Sequence, residues 1–487
     1  TGKIPELSQD AKKLYENGLV VVKTIQKNHE LIKDKHYTQE KFLFHVPITI
    51  NYKASGNSYI NENVRQFLKN NPDVNIIGLD RGERHLIYMS LIDQKGNIIQ
   101  QKTFNTVERK KNGATVSVDY HEKLDQKEKE RDAARKNWQT IGKIAELKEG
   151  YLSAVIHELV TLMIEHNAII VMEDLNFGFK RGRFHVEKQV YQKFEHMLID
   201  KLNYLVFKDR GLKESGGVLN GYQLAGVFES FQKLGKQSGF LFYVPAGYTS
   251  KIDPATGFAN LLDMTNLTNV QKKRDFFAKF DSICFDEEKQ MFAFTFDYKN
   301  FNRKDAQEMS RTKWTVYSNG KRIQFCGKGK ASKHIENLTE EFKTLFREFD
   351  YQNGNNILDS ILEVGAALKA GEKPAKEIAD FWDKLLVLFK LVLQIRNSDA
   401  KTGDDYIISP VMSEDGIFFD SREQEKLGNN AKLPKDADAN GAYHIALKGL
   451  YLLKVFDKTP EDQLKKVDMK ISNADWFRFA QEKEYNK

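Results

Sequence analysis

Three acidic residues that are far apart in the chain stand where strands are predicted to end or a helix to begin. Asp80 closes the apolar run NIIGLD, Glu173 follows the apolar run AIIVM, and Asp438 lies at the start of a predicted helix. Hydrolysis of a phosphodiester by two metals needs carboxylates that converge on ions about 3.5–4 Å apart, and Mg²⁺ prefers hard oxygen ligands. These acids are therefore candidate metal ligands, provided that the two strands are neighbours.

Each acid also has a simpler structural interpretation when it is taken alone. An Asp at the end of a strand is often a turn former. Glu173 would otherwise be a solvated acid at a strand end, with Asp174 as an equally good ligand. Asp438 would otherwise be a helix N-cap, a role that Asp436 or Asn440 could share. The spacing alone leaves these alternatives open.

The segment around Asp80 predicts an antiparallel meander. Short runs rich in β-branched and aromatic residues predict strands, and Asp93–Gly96 supplies a turn between the last two. A further strand is predicted earlier in the chain, over Phe42–Tyr52. The strands of the meander cover Asn75–Asp80, Leu86–Ile92 and Asn97–Phe104.

A long helix and a buried strand follow the meander. After Gly142, apolar residues recur at the spacing of an amphipathic helix as far as Asn167, and Ala168–Met172 then predicts a fully buried strand. A meander, a long helix and a buried strand beside the first strand form the RNase H-like order of elements. A later helix that begins near Asp436 should approach the sheet closely through small residues: Ala439, Ala442, Ala446 and Gly449.

The middle of the chain has a different pattern from about Pro245 onwards. Alternating aromatic residues over Phe292–Tyr298 predict a strand, and Asn319-Gly320 predicts a hairpin within Trp314–Phe325. Helices are predicted to dominate Ile335–Arg396. Because this block interrupts the first pattern, we interpret it as an α+β domain inserted into an α/β fold.

Composition narrows the classes of protein to consider. The 487 residues carry 75 basic and 68 acidic side chains, a net charge of +7, which suits a nucleic-acid partner without requiring one. Cys284 and Cys326 belong to no CxxC pair, which excludes a disulfide framework and a zinc ribbon. The most apolar stretch, Leu385–Ile395, is too short to cross a bilayer. Because the chain starts at Thr1, we expect a fragment of a longer protein.

Several motifs closely resemble those of the type V-A CRISPR effectors, the Cas-twelve-a family once called Cpf-one. IIGLDRGERHLIY at Ile76–Tyr88 resembles the first RuvC motif of the family, and VMEDLNFGFKRGRF at Val171–Phe184 resembles the second. DADANGAYHIALKG at Asp436–Gly449 resembles the third. The resemblance extends from about Leu31 to the C-terminus through shorter segments such as HVPITINYKA, KERDAARKNW, QIRNS and YVPAGYTSKIDP.

The resemblance implies roles for particular residues. Asp80, Glu173 and Asp438 are implied to be the catalytic ligands of Mg²⁺, for which Mn²⁺ can substitute. Arg396 is implied to be a nuclease-domain arginine that positions phosphate, and Asp405 a nearby accessory acid. A planar guanidinium suits a phosphate, although a charge at the C-terminal end of a helix is the simpler interpretation of Arg396.

Further residues are implied to contact nucleic acid. The loop Asn176–Lys188 resembles the lid of the family, and its Lys180, Arg181 and Arg183 can meet phosphates, a solvated basic loop being the alternative. Trp138 resembles the anchor of the bridge helix, with a core tryptophan as the alternative.

The site that processes guide RNA in this family is matched only in part. Lys33, in the segment LIKDKHY, corresponds to one residue of that site. His29 and Lys27 are candidates for its other residues by proximity alone.

The fold implied is an α/β RuvC-type RNase H-like fold, split in sequence, with an inserted α+β nuclease-lobe domain. Its predicted parts are a partial wedge-like segment (1–65), RuvC part I (66–118), the bridge helix (119–141), RuvC part II with the lid loop (142–245), the Nuc domain (246–435) and RuvC part III (436–487).

The function implied is that of the catalytic portion of an RNA-guided, Mg²⁺-dependent DNA endonuclease of antiviral defence. It would cut target, non-target and collateral single-stranded DNA. Its expected partners are CRISPR guide RNA, target DNA and a missing N-terminal half with the recognition, wedge and PAM-interacting parts. We expect a monomer in the cytoplasm of a prokaryote, away from membranes, and little or no activity of the chain alone. The alternatives are a guide-independent RuvC-type nuclease and a non-catalytic split-protein or nucleic-acid-binding half.

Overall fold

The structure is a computed structural model of the chain, which divides into two units, Thr1–Asn51 and Tyr52–Lys487. In the first unit it describes a helix, α1 (Gln9–Glu16). The predicted strand Phe42–Tyr52 and residues 120–141 of the predicted bridge helix lie outside the described residues. The described residues are 9–17, 56–81, 86–111, 114–119, 144–174, 185–301, 309, 311–327, 330–364, 375–399 and 401–483.

A six-stranded mixed sheet organises the second unit. Its strand order is β3-β2-β1-β6-β8-β7, with β6 parallel to both β1 and β8 and the other neighbours antiparallel. In the sequence, a separate hairpin of β4 and β5 comes after the first three strands and before helix α3. In chain order these elements are α2 (Ile60–Asn70), β1 (Asn75–Asp80), β2 (Tyr88–Ile92), β3 (Ile98–Thr103), β4 (Thr106–Lys111), β5 (Ala114–Asp119), α3 (Ile144–Glu165), β6 (Ala168–Glu173), α4 (His185–Asn203), β7 (Gln237–Ser238) and β8 (Leu241–Val244).

The predicted meander is confirmed, and its turn shows why the chain reverses there. The Asp93 carboxylate accepts hydrogen bonds of 2.8 Å from the backbone N–H groups of Lys95 and Asn97. Gly96 has a φ of 76°, a conformation that glycine adopts at little cost. At the same end of the sheet, Asn167 adopts a φ of 45° just after α3, which ends the helix and lets β6 start.

The two faces of the sheet bury different residues. On β1, Ile77 and Leu79 point to one side, where they join the apolar residues of α3 and α4 in one core cluster. Ile76 points to the other side, into a second cluster that includes the long helix near the C-terminus. Because successive strand residues face opposite sides, the continuous apolar run of β1 fills both cores. Helix α3 thus packs on the face of the sheet that carries Ile77 and Leu79.

The rest of the unit contains small sheets and helices. The strands form sheets with the orders β11-β10-β9, β12-β13 and β14-β15-β16. Among the described residues, no helix has the length and apolar character that a bilayer span requires. These elements are α5 (Val270–Phe277), β9 (Phe280–Asp286), β10 (Met291–Asp297), β11 (Lys313–Tyr317), β12 (Arg322–Gln324), β13 (Lys333–Ile335), α6 (Leu338–Leu345), α7 (Leu358–Glu363), α8 (Ala375–Val392), β14 (Arg396–Ser398), β15 (Asp405–Met412), β16 (Phe418–Asp420), α9 (Ser421–Lys426), α10 (Ala437–Lys458) and α11 (Asn473–Gln481).

The predicted hairpin around Asn319-Gly320 is wrong. Gly320 does adopt the turn conformation, with a φ of 67°, but β11 pairs with β10 and β12 pairs with β13. The Asn319 amide donates to the backbone oxygen of Ser409 over 2.8 Å, and its Oδ1 accepts from the buried Arg322 guanidinium over 2.8 Å. The hydrogen bond to Ser409 ties the turn to β15, and the flanking strands enter different sheets.

Helix α10 approaches β1 through its backbone, as its small residues predict. A Cβ atom placed on Gly78 would lie 2.2 Å from the backbone oxygen of Ala442 and 2.5 Å from the backbone nitrogen of Ala446. A Cβ atom on Gly449 would lie 2.5 Å from a side-chain methyl of Val171 on β6. Glycine is therefore required at both positions, because neighbouring atoms leave no room for a larger side chain.

Replacing Gly78 with Ala should destabilise the fold by about 3 kcal/mol, the upper part of the range for overpacking, because the obstructing atoms belong to a helix backbone. Urea unfolding would measure the loss. Gly56→Ala is the matched control, since a Cβ atom there meets nothing within 4 Å, and it should change the free energy of unfolding by less than about 0.5 kcal/mol. Equal stability of the two variants would contradict the close approach.

Candidate active site

Parallel pairing brings two of the predicted acids to one edge of the sheet. The register of β1 and β6 aligns Leu79 with Met172, so Asp80 and Glu173 are the next residues of two neighbouring strands. Glu173 is also aligned with Val244 on β8. The condition set by the sequence, that the two strands be adjacent, is met.

The third acid reaches the same edge from α10. Asp438 lies in the first turn of this helix and is completely buried. The helix N-cap is Asp436, whose Oδ1 accepts a hydrogen bond of 2.6 Å from the backbone N–H of Ala439. The capping role that the sequence left open therefore belongs to Asp436, and Asp438 is available for another role.

A glycine in α10 makes room for the Asp80 carboxylate. A Cβ atom on Gly441 would lie 2.1 Å from Asp80 Oδ2. The carboxylate thus rests directly against the helix backbone, one turn from Asp438. Sequence reasoning missed Gly441, although its place in the motif ADANGA, three residues after the acid, is a signal that could have identified it.

The buried Asp80 carboxylate is repelled by both of the other acids. Burial raises the pKa of Asp80 well above its ordinary value, and the charges of Glu173 and Asp438 raise it further. Burial also raises the pKa of Glu173, against the hydrogen bond from Thr249 and the positive charge of Lys448, which lower it. Such acids ionise at neutral pH only when positive charge is nearby.

Arg396 supplies part of that positive charge. Its Nη2 donates to Asp438 Oδ1 over 2.8 Å and lies 3.4 Å from Asp405 Oδ2. Burial lowers the pKa of this guanidinium, but Asp405, Asp438 and Asp80 outweigh that effect and raise it. Arg396 begins β14 instead of closing a helix, so the helix-end interpretation is wrong. Asp405, the first residue of β15, is aligned with Ser398 on β14 and joins the same cluster.

Two of the alternatives left open by the sequence have other partners. Asp174 forms an ion pair with Lys236. Asn440 donates through its amide to the backbone oxygen of Ile252 over 2.9 Å. Both are bound to other parts of the protein, whereas Asp80, Glu173 and Asp438 are near enough to interact electrostatically.

The remaining predicted site residues stay predictions. They lie outside the described residues and comprise the lid residues Lys180, Arg181 and Arg183, the bridge-helix anchor Trp138, and the guide-processing candidates Lys33, His29 and Lys27.

Several residues that interact with Glu173 were not predicted from the sequence. Thr249 Oγ1 donates to Glu173 Oε1 over 2.7 Å, and Arg81 donates to the backbone oxygen of Glu173 over 2.7 Å while it faces Glu195 at 3.6 Å. Burial lowers the pKa of Lys448 to about 7, although Glu173 favours its charged form. Only Arg81 carries a local signal, since it directly follows Asp80.

The carboxylate oxygens of the cluster are of the type that binds divalent cations. Its acids are hard oxygen donors whose mutual repulsion a cation would relieve. In the part of the chain that the structure describes, however, no three His, Cys, Asp or Glu side chains already converge as a set of ligands for one ion. The positive charge next to Asp438 comes from Arg396 instead.

The mixed sheet, with helices on both faces and acids at the ends of its central strands, defines an α/β protein whose fold is compatible with RuvC-type nucleases. Residues 54–485 match the family model of the RuvC nuclease domain. The chain belongs to this family, and its membership indicates nuclease activity, the hydrolysis of nucleic acids.

Asp80→Asn should stabilise the protein in the presence of a chelator by about 0.5–2 kcal/mol near pH 8, the usual gain when a functional site is relieved of strain. The folded pKa of Asp80 is raised, so the wild type loses stability as the pH rises above the unfolded pKa of about 4. The gain of the variant should therefore be larger at pH 8 than at pH 5. Urea unfolding at both pH values measures it.

The control for this prediction is Asp457→Asn, which changes an exposed aspartate near the end of α10. It should leave stability within about 0.5 kcal/mol of the wild type at both pH values. A gain from Asp80→Asn that is absent, or that shrinks as the pH rises, would contradict the electrostatic interpretation of the cluster.

Proposed function

We propose that this chain is the catalytic, nuclease-lobe portion of an RNA-guided DNA endonuclease similar to the type V-A CRISPR effectors. The observation that carries the proposal is the placement of acids at one edge of a sheet in a RuvC-family chain, where Glu173 and Asp438 both act electrostatically on the buried Asp80. Clustered acids of this kind destabilise a fold, and a nuclease that binds cations gives them a function.

In this proposal Asp80, Glu173 and Asp438 hold Mg²⁺, or Mn²⁺ in its place. Bound there, the cations supply an activated water and offset the charge of the leaving oxygen of the phosphodiester. The protein positions its ligands through rigid elements, since two of them end neighbouring strands and the third lies in the first turn of a helix. Ligands on such elements hold their geometry better than ligands on loops.

Arg396 is proposed to bind a phosphate oxygen of the DNA strand. Its guanidinium is oriented by Asp405, which accepts a hydrogen bond from Ser398 on the neighbouring strand. A guanidinium is planar and permanently charged, and it can donate two parallel hydrogen bonds to a phosphate. Asp405 is thus a positioning residue for Arg396 in this scheme.

The partners are proposed from the sequence motifs. A guide RNA that pairs with the target would select the sequence, so the chain itself needs no base-specific code. The net charge of +7 suits contact with nucleic-acid backbones, and the basic lid residues Lys180, Arg181 and Arg183 are proposed to contact phosphates. An N-terminal half would supply guide and PAM recognition, and the division into split RuvC parts around a Nuc domain at 246–435 belongs to the same proposal.

Glu173→Gln should reduce Mg²⁺-dependent DNA cleavage by about 100-fold or more, because it removes one charged ligand from a preorganised electrostatic site. The assay is the cutting of a labelled target by the chain after it is combined with the N-terminal half and guide RNA. Glu229→Gln is the matched control, since Glu229 pairs with Lys233 on the surface, and it should cut at the wild-type rate. Full activity of Glu173→Gln would refute the assignment.

Guide dependence separates this proposal from a guide-independent RuvC-type nuclease. The purified chain, mixed with Mg²⁺ and branched DNA without guide RNA, should cut little, and the combination with the N-terminal half and guide should restore cutting. Cutting of branched DNA by the chain alone, abolished by Glu173→Gln, would favour the guide-independent nuclease. Assembly with the N-terminal half but no Glu173-dependent cutting under any condition would favour the non-catalytic half.

A further inference from the structure

Helix α10 carries a stripe of buried polar side chains that the carboxylate cluster does not explain. Asn440, His444 and Lys448 follow one another at intervals of four residues, so they share one side of the helix. Each is at most 1% exposed. Burying polar groups is costly unless they form hydrogen bonds, so the partners of this stripe indicate its purpose.

The stripe contacts the segment Pro245–Ile252, which directly follows β8, the strand beside Glu173. Lys448 Nζ donates to the backbone oxygens of Pro245 and Gly247, each over 2.6 Å. The Asn440 amide donates to the backbone oxygen of Ile252 over 2.9 Å. Side chains of helix α10 thus bind backbone carbonyl groups at both ends of the segment Pro245–Ile252.

His444 and Trp476 complete the contact. The His444 ring donates from Nδ1 to the backbone oxygen of Asn440 over 2.9 Å, and the ring meets Trp476 edge to face. The Trp476 indole donates to the backbone oxygen of Tyr248 over 2.9 Å, and Lys448 lies over the same indole. The middle of the segment is therefore held as well.

The backbone of the segment is strained at its centre. Tyr248 has a φ of 54°, a region that residues with large side chains rarely occupy and that persists only when the surroundings impose it. The next residue is Thr249, whose hydroxyl donates to Glu173 Oε1 over 2.7 Å. The strained turn is thus the one that brings this hydroxyl to the carboxylate.

We propose that Lys448 and Thr249 are positioning residues for Glu173: the stripe on α10 fixes the segment Pro245–Ile252, and Thr249 in that segment fixes the carboxylate. The inference rests on the proposed function, in which Glu173 is a metal ligand. It assigns to α10 a second role beyond Asp438, because one helix presents one ligand directly and orients another through a chain of hydrogen bonds. Side chains that orient metal ligands commonly change metal affinity by about 10–100-fold when they are lost.

The test compares Thr249→Val, which removes the hydroxyl, with Thr249→Ser, which keeps it. In the full chain, Thr249→Val should weaken Mn²⁺ binding by about 10-fold, measured by electron paramagnetic resonance of free Mn²⁺, and Thr249→Ser should bind within about 3-fold of the wild type. Lys448→Met should weaken Mn²⁺ binding to a similar extent. Thr344→Val is the control, because that hydroxyl donates to a backbone oxygen of an exposed helix turn.

The outcomes separate this inference from the proposed function. Urea unfolding identifies any variant that is unfolded, and the Thr249 pair keeps the test decisive if Lys448→Met does not fold. Loss of Mn²⁺ binding in Glu173→Gln, with wild-type binding in both Thr249→Val and Lys448→Met, would overturn the positioning role alone. Equal losses in Thr249→Val and Thr249→Ser would also overturn it. Unchanged Mn²⁺ binding and DNA cleavage in Glu173→Gln would overturn the proposed function itself.

Discussion

The contact between the backbones of α10 and β1 determines how close the acidic residues come to one another. At Gly78 the strand touches the helix backbone, and at Gly441 the helix leaves space for a carboxylate. Asp80 follows Gly78 by two residues and therefore faces the same side of the sheet, while Asp438 lies one turn before Gly441. Any side chain at either glycine would push the helix away and separate the acids. The packing of two glycines thus sets the electrostatics of the site.

The protein offsets the resulting repulsion differently at each acid. Asp438 receives the guanidinium of Arg396 directly. Glu173 accepts a hydrogen bond from the Thr249 hydroxyl, and the positive charge of Lys448 acts on it at longer range. Both of the other acids act on Asp80, and its burial and their charges raise its pKa. A cation that enters the cluster would therefore gain most beside Asp80.

The sequence predicts the elements that local patterns determine and misses those that tertiary contacts determine. The apolar runs before Asp80 and Glu173 and the small-residue face of α10 were sufficient to predict two strands, a helix and their proximity. Arg396 and Asp405 were identified by resemblance, since their spacing alone has no clear meaning. The Asn319-Gly320 turn was predicted wrongly because its hydrogen bonds go to β15. Thr249 lacks a local signature, because its partner is distant in sequence.

The carbonyl contacts of Lys448 also affect how the chain tolerates changes in length. Pro245 leaves the sheet and Lys448 belongs to the helix that returns to it, and the two residues are joined by a hydrogen bond. The long stretch between them consequently departs from and comes back to the same point in space. Insertions or deletions inside that stretch can alter the polypeptide distance from Glu173 to Asp438 without altering their spatial separation. A relative of quite different length could therefore keep the same catalytic geometry.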